Sequence, residues 1–292
     1  MPQIKIDPNL CIKDSLCAMT CTRAVFEQEE MGRIPKIDGL DRCFTCGQCV
    51  SICSKDAISH SDFQAGRVNP IDIGIIPSYD QLMELIRSRR SKRLWKNKAV
   101  NKETIKQVLE AARFAPSGHN EQTTEFIVVQ DKNIIRDVAS LSADYLGKLA
   151  ANFKNPIGRM IMRFMMGKRS AAYVAELAPE LDYIVKLFRD GTDWIVREPP
   201  ALILFHGGQC RGTFMGINAS LALHNASLAA ETLGLGCYYA GFIVITCDRD
   251  KSIQRLFSVP ETHKIYGALA LGYPRLKFTK WPDRNPPKVK WS

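Results

Sequence analysis

The sequence predicts an α+β fold in two parts: a small cysteine-rich N-terminal domain, and a larger domain in which helices alternate with a few strands. Seven of the ten cysteines lie within the first sixty residues. Residues 64–80 are rich in glycine and proline, which is the composition of a linker. From Tyr79 onward, apolar residues recur at helical spacing. A chain of 292 residues is long enough for about two domains, so we expect domains at 1–66 and 79–292 joined by a linker at 67–78.

The composition is that of an ordinary soluble globular chain, with 46% hydrophobic and 24% charged residues. No apolar run approaches the ~18 residues that a membrane-spanning helix requires, and no signal-peptide pattern opens the chain. Clustered cysteines without a secretory signal favour metal binding over disulfide bonds. We therefore expect no membrane span and a reducing compartment, the cytoplasm of a bacterium or archaeon.

The net charge of +10 belongs to the second part of the chain. Residues 1–66 have a net charge of −2, and residues 67–292 have +12. A basic domain of this kind suits a phosphate-bearing cofactor. Nucleic-acid binding is the competing interpretation of a basic chain, but no nucleic-acid motif accompanies the charge, so we expect no nucleic-acid partner.

The cysteines of residues 43–53 form a complete C-x2-C-x2-C-x3-C run. This spacing is typical of bacterial iron–sulfur proteins, in which the fourth cysteine ligates the other cluster. Zinc is the alternative, because C-x2-C pairs also bind zinc. Zinc sites usually need two separated pairs, however, and four cysteines within eleven residues do not suit one tetrahedral ion. The run therefore favours iron–sulfur clusters.

A second run repeats this spacing with one difference. Cys11, Cys17 and Cys21 keep their places, but Asp14 stands where the second thiolate is expected. A carboxylate is a harder ligand than a thiolate and binds iron in a sulfide cluster less tightly. Two outcomes stay open: a four-iron cluster with Asp14 or water on one iron, or a three-iron cluster beside a solvated Asp14.

The N-terminal part resembles a two-cluster bacterial ferredoxin, with short strands at residues 4–6 and 57–59. The resemblance implies one [4Fe-4S] cluster and a second cluster that is [4Fe-4S] or [3Fe-4S]. The first would be held by Cys21, Cys43, Cys46 and Cys49, and the second by Cys11, Cys17, Cys53 and, in its four-iron form, Asp14. So small a domain buries little apolar surface, so the metal centres would supply the missing stability.

In the second part, the elements follow from apolar periodicity and from short buried runs. Leu82, Leu85 and Ile86 fall on one face of the first helix. In order, we expect helices at 79–89 and 102–114, a loop at 115–122, a strand at 125–130, helices over 132–190, a strand at 200–206, a helix at 215–234 and a strand at 265–272.

Two local features suit a phosphorylated cofactor. Arginine and serine crowd the end of the first helix, and guanidinium groups donate two hydrogen bonds to phosphate in a fixed fork. The residues are Arg89, Arg90, Ser91 and Arg93. A turn of small hydrogen-bonding residues follows at 116–120. Each feature alone is weak, because a basic run is usually a solvated face.

Their order is more specific. The segments RSRRSKRLW, AARFAPSGHNEQ, LHNASLAAETLGLGCYYAGF and ALALGYP follow one another along residues 79–292. Together they resemble the FMN-dependent nitroreductase family, and the whole chain resembles a ferredoxin–nitroreductase fusion. The resemblance implies a central mixed sheet with long helices, and a homodimer that binds FMN at its interface.

The resemblance also implies which residues contact FMN. Arg89 would bind the phosphate, and Arg93 would approach the N1/O2 edge of the flavin. The backbone of Ala240 and Gly241 would reach flavin N5, and Asn120 would hydrogen-bond the pyrimidine edge. The remaining expected contacts are Arg90 and Ser91 along the ribityl–phosphate tail, Pro116, Ser117 and Gly118 in the loop, and Lys280 and Arg284 at the phosphate.

Three further points qualify the resemblance. The family often continues Asn-x-Gln with Pro-Trp, whereas here Thr123-Thr124 follows. No side chain need act as a catalyst, because the chemistry is expected at flavin N5; His119 in the flavin loop is the one candidate. Residues 152–193 contain a basic, Met-rich stretch that suits a lid over the flavin, a dimer-packing helix or a membrane-surface helix.

The function that follows is an iron–sulfur flavoprotein oxidoreductase. Clusters would relay single electrons to FMN, which would reduce a flat, electron-poor acceptor such as a nitroaromatic, a quinone, an activated alkene or a halogenated compound. The donor would be a ferredoxin or another low-potential protein, or else NAD(P)H. Two alternatives stay open: a relay or redox sensor without its own substrate, and an FMN-dependent dehydrogenase that passes electrons outward to the clusters.

Overall fold

A computed structural model describes residues 1–64, 66–210 and 212–292. The chain divides into two compact units. The first comprises Met1–Pro77 and Gly118–Glu121, and the second comprises Ser78–Ser117 and Gln122–Ser292. In the described part of the chain, no helix is long and apolar enough to cross a membrane.

The first unit consists of two short antiparallel ribbons and two short helices. Strand β1 (Ile4–Ile6) pairs with β4 (Ile58–His60), and β2 (Phe26–Glu27) pairs with β3 (Lys36–Ile37). The predicted strand at residues 57–59 begins one residue later than expected. Helix α1 spans Leu16–Thr20 and α2 spans Gln48–Ile52. The apolar residues buried here are few and pack directly against cysteines, so this core alone stabilises the unit only weakly.

The two halves of this unit repeat with an offset of 32 residues, as the starts of α1 at Leu16 and α2 at Gln48 show. The repeat extends to the backbone. Three pairs of residues with positive φ keep the same offset: Lys13 and Thr45, Ser15 and Gly47, and Ala24 and Asp56. A positive φ is unfavourable for most side chains, so these tight turns are specific features of both halves. In this repeat, Asp14 occupies the place that Cys46 occupies in the other half.

The second unit is built on one four-stranded sheet. The strands are β5 (Glu125–Val129), β6 (Ala201–Gly207), β7 (Gly236–Tyr239) and β8 (Lys264–Gly272). Their order is β5-β6-β8-β7, and every neighbouring pair is antiparallel. The prediction of a mixed sheet was therefore wrong for these four strands. A single parallel bridge, from Ser91 to Cys237, joins a segment outside the named strands to β7.

Eight helices of the described chain belong to this unit. They are α3 (Tyr79–Ser88), α4 (Lys102–Arg113), α5 (Lys132–Lys154), α6 (Pro156–Met166), α7 (Lys168–Arg189), α8 (Met215–Thr232), α9 (Gly241–Arg249) and α10 (Ser252–Leu256). Helix α3 begins with a capping box: the Ser78 side chain accepts from the Gln81 backbone, and the Gln81 side chain accepts from the Ser78 backbone. The helices predicted at 79–89, 102–114 and 215–234 are present with ends one or two residues shorter.

The two faces of the sheet bury separate cores, because side chains alternate along β6. Leu202 and Leu204 point to the core under α5, α9 and α10. Ile203 and Phe205 point to the core under α4 and α8. All seven residues of β6 are buried for this reason. The result is a three-layer α+β arrangement with β6 and β8 at its centre.

Helices α6 and α7 pack against the end of α5 as a separate apolar cluster that includes Phe153, Met162 and Leu181. The opposite face of α6 is exposed, and the Phe164 side chain is almost fully in solvent at 93%. A lid, a dimer contact and a membrane-surface helix all require such an exposed apolar face. The structure of this unit therefore leaves the three predictions for residues 152–193 open.

Candidate functional site

Each of the two predicted iron–sulfur ligand sets lines its own cavity in the first unit. One cavity is lined by Cys21, Cys43, Cys46 and Cys49. The other cavity is lined by Cys11, Asp14, Cys17 and Cys53. The fourth cysteine of each run thus lies in the same cavity as the first three ligand positions of the other run. Sequence-distant cysteines from both halves converge, as a shared pair of metal centres requires.

Backbone amides support the cysteine sulfurs. The Val25 amide donates to Cys21 Sγ at 3.3 Å, and the Ala57 amide donates to Cys53 Sγ at 3.3 Å. These two bonds are related by the same 32-residue repeat. The Thr45 amide donates to Cys43 Sγ at 3.4 Å. Hydrogen bonds to sulfur stabilise the thiolate and help to set the potential of a bound cluster.

Burial makes two of these thiols poor acids without metal. It raises the pKa of Cys17, and it raises the pKa of Cys49 to about 11. A cluster binds thiolates, so its assembly must release these protons. The donor set therefore fits iron–sulfur clusters: soft sulfur ligands, two separate groups of four positions, and concave sites closed by apolar residues.

Asp14 lies in its cavity but already has a backbone partner. Its Oδ1 accepts a hydrogen bond from the Leu16 amide at 3.2 Å, at the start of α1. One carboxylate oxygen is thus engaged by the helix, while the residue still lines the cavity. This arrangement is compatible with both predicted outcomes at this position.

Replacing Asp14 by cysteine is expected to favour eight irons per chain, because a thiolate holds the fourth iron more tightly than a carboxylate. Replacing it by alanine is expected to leave seven. Iron and sulfide analysis with EPR of the oxidised protein measures both, since a three-iron cluster is paramagnetic in that state. Identical iron counts and spectra in the parent protein and both variants would refute this account of Asp14.

The basic segment predicted to bind the flavin phosphate is fixed against β7. Ser91 forms a parallel bridge with Cys237, and the Lys92 amide donates to the Cys237 carbonyl at 3.0 Å. This close approach needs glycine at position 236, because a Cβ there would lie 2.8 Å from Lys92 Cβ. Lys92 itself is neutralised by a largely buried ion pair with Glu231.

Two arginines of this segment pack on neighbouring tyrosines. The Arg89 guanidinium lies 5.6 Å from the ring centre of Tyr239, and that of Arg93 lies 5.4 Å from the ring centre of Tyr238. Since successive residues of a strand face opposite sides, the two arginines are held on different faces of β7. Tyr239 is fixed in turn by His224 and Ser227, whose Nδ1 and Oγ each lie 3.1 Å from its hydroxyl oxygen.

Ala240 and Gly241 lie where β7 becomes α9. The Ala240 amide donates to the Ala268 carbonyl of β8 at 2.9 Å, and Gly241 is the first residue of the helix. A Cβ on Gly241 would meet no atom within 4 Å, so its backbone faces open space. The structure thus places the arginine segment alongside β7 and the Ala240–Gly241 turn directly after it.

The predicted flavin loop is divided between the two units. Pro116 and Ser117 belong to the second unit, where the Ser117 hydroxyl accepts from the Gln122 amide at 3.0 Å. Residues Gly118–Glu121 belong to the first unit. There the Asn120 side chain donates to the Thr45 carbonyl at 2.7 Å, and the His119 ring meets the Phe44 ring edge-on at 5.9 Å.

The predicted phosphate contacts near the C-terminus lie in an exposed tail without helix or strand. Lys280 and Arg284 are both exposed there. The tail is held to the end of α3 by Trp281, whose ring centre lies 4.9 Å from the Arg87 guanidinium. Trp281 thus lies at the helix end next to Arg89, and for the described residues no contact of Lys280 or Arg284 with Arg89 is found.

Sequence reasoning missed two features of this region. It did not identify the Lys92–Glu231 ion pair or the tyrosines on which the arginines pack, although two adjacent tyrosines before Ala240 were a signal. His224 is exposed on α8 and bonded to Tyr239, whereas His206, Cys237 and Cys247 are buried.

Comparison with known proteins agrees with this architecture. Residues 86–273 match the nitroreductase family model. A relative from Archaeoglobus fulgidus, provisionally described as an NADH dehydrogenase/NAD(P)H nitroreductase, is 27% identical over 218 residues, which are 73% of this chain and 99% of the relative. A similarly described protein from Methanothermobacter thermautotrophicus is 25% identical over 72% of this chain and 81% of its own.

Two solved structures share the fold. A nitroreductase from Bacteroides fragilis with bound FMN is 22% identical, with a TM-score of 0.50, over 72% of this chain and 99% of its own. Iodotyrosine deiodinase bound to FMN and 3-iodo-L-tyrosine is 21% identical, with a TM-score of 0.52, over 72% of this chain and 98% of its own. The α+β fold predicted for the second part is confirmed, and the chain belongs to the nitroreductase family.

Proposed function

We propose that this protein is an iron–sulfur flavoprotein oxidoreductase that binds two clusters and FMN and reduces an organic acceptor. The observation that carries the proposal is the convergence of both cysteine runs on two separate cavities, in a chain that belongs to the nitroreductase family. When bound, clusters transfer electrons singly and FMN accepts one or two, so the pair supplies the chemistry for two-electron reduction from a one-electron donor.

The second unit contributes the residues that would hold FMN. The Arg89 guanidinium packs on the Tyr239 ring and suits the flavin phosphate. Arg93 places a positive charge on the other face of β7. The Gly241 backbone faces open space and can approach a flat ring closely. That two proteins of similar fold, one of them a nitroreductase, have bound FMN supports this assignment. A homodimer with FMN at the interface remains part of the proposal.

The first unit contains one of the expected flavin contacts. Asn120, expected at the pyrimidine edge of the flavin, donates to the carbonyl of Thr45, which lies between the proposed ligands Cys43 and Cys46. On this ground, the cluster held by Cys21, Cys43, Cys46 and Cys49 is proposed as the one that exchanges electrons with the flavin.

Steady-state turnover tests the proposal. Purified protein loaded with both cofactors is supplied anaerobically with reduced ferredoxin, or with dithionite, and with a panel of nitroaromatic, quinone, activated-alkene and halogenated compounds. We expect at least one flat, electron-poor class to be reduced catalytically. Loaded and reducible cofactors without turnover on any compound would contradict the enzyme assignment and favour a relay or sensor.

A second candidate is oxidation of NAD(P)H with electrons passed outward to the clusters. The descriptions of the two archaeal relatives favour it, because both include NADH dehydrogenase and NAD(P)H nitroreductase. Anaerobic mixing with NADH or NADPH separates the two directions. Rapid bleaching of the flavin band by either nucleotide favours this candidate, whereas bleaching only by a low-potential donor favours the first proposal.

A further inference from the structure

Three potential metal ligands converge at one end of the central sheet, although they are far apart in the sequence. Glu125 is the first residue of β5 and is the cross-strand partner of His206 on β6. His263 immediately precedes β8, whose first residue, Lys264, pairs with Gly207. The antiparallel register thus places one side chain from each of three adjacent strands at the same edge.

The distances between these side chains suit a shared ion. One nitrogen or carboxylate oxygen from each of the three residues lies within 4.8 Å of the others. His206 Nδ1 and His263 Nδ1 are 3.3 Å apart. Two nitrogens bound to tetrahedral zinc, each about 2.0–2.1 Å from the metal, are separated by about 3.3–3.4 Å. The exposed Glu125 carboxylate lies 4.0 Å from His263 Nδ1 and 3.8 Å from His206 Nε2, so it is close to both rings and can turn to complete the set.

Two backbone features hold the histidines in this arrangement. The β6–β8 register shifts between Phe205 and His206, and such a bulge turns a side chain away from the regular alternation. Glycine at position 208 leaves room for the second ring, because a Cβ there would lie 2.8 Å from His263 Cδ2. Any larger residue at 208 would displace that ring. The backbone at these strand ends therefore holds the two histidine rings next to each other.

The surroundings also suit a metal with an open position. Only 5% of His206 is exposed, so an ion held by its ring would be shielded from solvent on that side. Next to Glu125 and His263 is an open cavity of about 450 Å³, lined also by Thr123, Gln209 and Thr262. Water or an oxygen ligand can reach the site through it.

We propose that Glu125, His206 and His263 bind a divalent zinc-class ion, with its fourth position open to the adjacent cavity. Two imidazoles and one carboxylate form a known ligand set for zinc with an open position. The clusters use thiolates, so this site is chemically distinct from theirs. The same set also suits ferrous iron, and the experiment below uses zinc as its probe.

The competing explanation needs no metal. A neutral His206 can share a hydrogen bond directly with His263, and the same 3.3 Å separation would result. In that case Glu125 would be an ordinary exposed carboxylate, and zinc would find no high-affinity site here. Removing Glu125 therefore separates the two explanations, because the direct histidine pair does not require it.

The test is zinc binding to the full chain with its cofactors in place, measured by competition with a chromophoric chelator. We expect one site per chain. His263→Gln and Glu125→Gln are each expected to weaken it by at least about 100-fold, the upper range for loss of an outer-shell partner. Glu261→Gln, an exposed carboxylate two residues from His263, is the matched control and should bind as the parent does.

X-ray absorption at the zinc edge identifies the ligands independently of affinity and of catalysis. We expect only nitrogen and oxygen neighbours, at about 2.0–2.1 Å. A sulfur shell near about 2.3 Å would place the zinc on cluster cysteines and overturn the proposal. Equal zinc affinity in the parent protein and both ligand variants would overturn it as well. Neither result depends on whether the protein reduces an organic acceptor.

Discussion

Replacing Cys46 by alanine is expected to remove at least one iron from its four-iron cluster, as at the equivalent position Asp14, and to slow turnover driven by reduced ferredoxin at least about 100-fold, while FMN stays bound. Cys46 is the exposed member of its ligand set, so its loss should disturb the unit's packing least. The effect is large because each cluster has only four protein ligand positions. Iron analysis, flavin content and steady-state rates with the same acceptor measure the three expectations.

The matched control for this variant is Cys210→Ala, which removes a half-buried cysteine of the second unit. It should keep the full iron content and the parent rate. An undiminished ferredoxin-driven rate in a Cys46→Ala protein that lacks the cluster irons would contradict the relay. Loss of FMN together with iron would show instead that the substitution unfolds more than the cluster site.

Replacing Arg89 by alanine is expected to weaken FMN binding by about 10- to 150-fold. A hydrogen bond to a charged group contributes about 1.5–3 kcal/mol, and each 1.4 kcal/mol corresponds to about tenfold in Kd. The Tyr239 ring holds the Arg89 guanidinium in position, so this side chain is already ordered before the FMN phosphate binds. Fluorescence quenching of FMN added to flavin-free protein gives the dissociation constant.

Lys106→Gln is the control for the lost positive charge. Lys106 lies on α4 in an exposed ion pair with Glu103, and such pairs contribute little to stability. The FMN affinity of Lys106→Gln should equal that of the parent protein. The iron content should be unchanged in both Lys106→Gln and Arg89→Ala. Arg89→Lys should recover only part of the affinity, because an ammonium lacks the two-bond fork of a guanidinium. Unchanged FMN affinity in Arg89→Ala would remove this residue from the site.

Much of the fold follows from local sequence signals. The strongest are the period of apolar residues in α3, α4 and α8 and the short apolar run of β6, which is buried on both faces. The direction of the individual strands could not be predicted. An apolar run such as residues 200–206 indicates burial but not pairing, because the direction of its neighbours depends on connections many residues away.

The candidate site shows the same limit. The resemblance of the two cysteine runs to a two-cluster ferredoxin indicated which residues share a cavity, because the fourth cysteine of each run was expected to serve the other cluster. The convergence of His206 with Glu125 and His263 has no local signal at all. Antiparallel pairing joins residues 57 or more positions apart, and only the strand register reveals it. The adjacent tyrosines before Ala240 were visible in the sequence, but their contacts with Arg89 and Arg93 also depend on residues far apart in the chain.

The central claim is that one chain holds inorganic clusters and a flavin together. Anaerobic purification followed by counts of iron, sulfide and flavin, with optical and EPR spectra, tests it most directly. We expect one FMN and seven or eight irons per chain, with cluster signals that appear or vanish on reduction. A colourless, iron-free protein from the same anaerobic preparation would contradict the account.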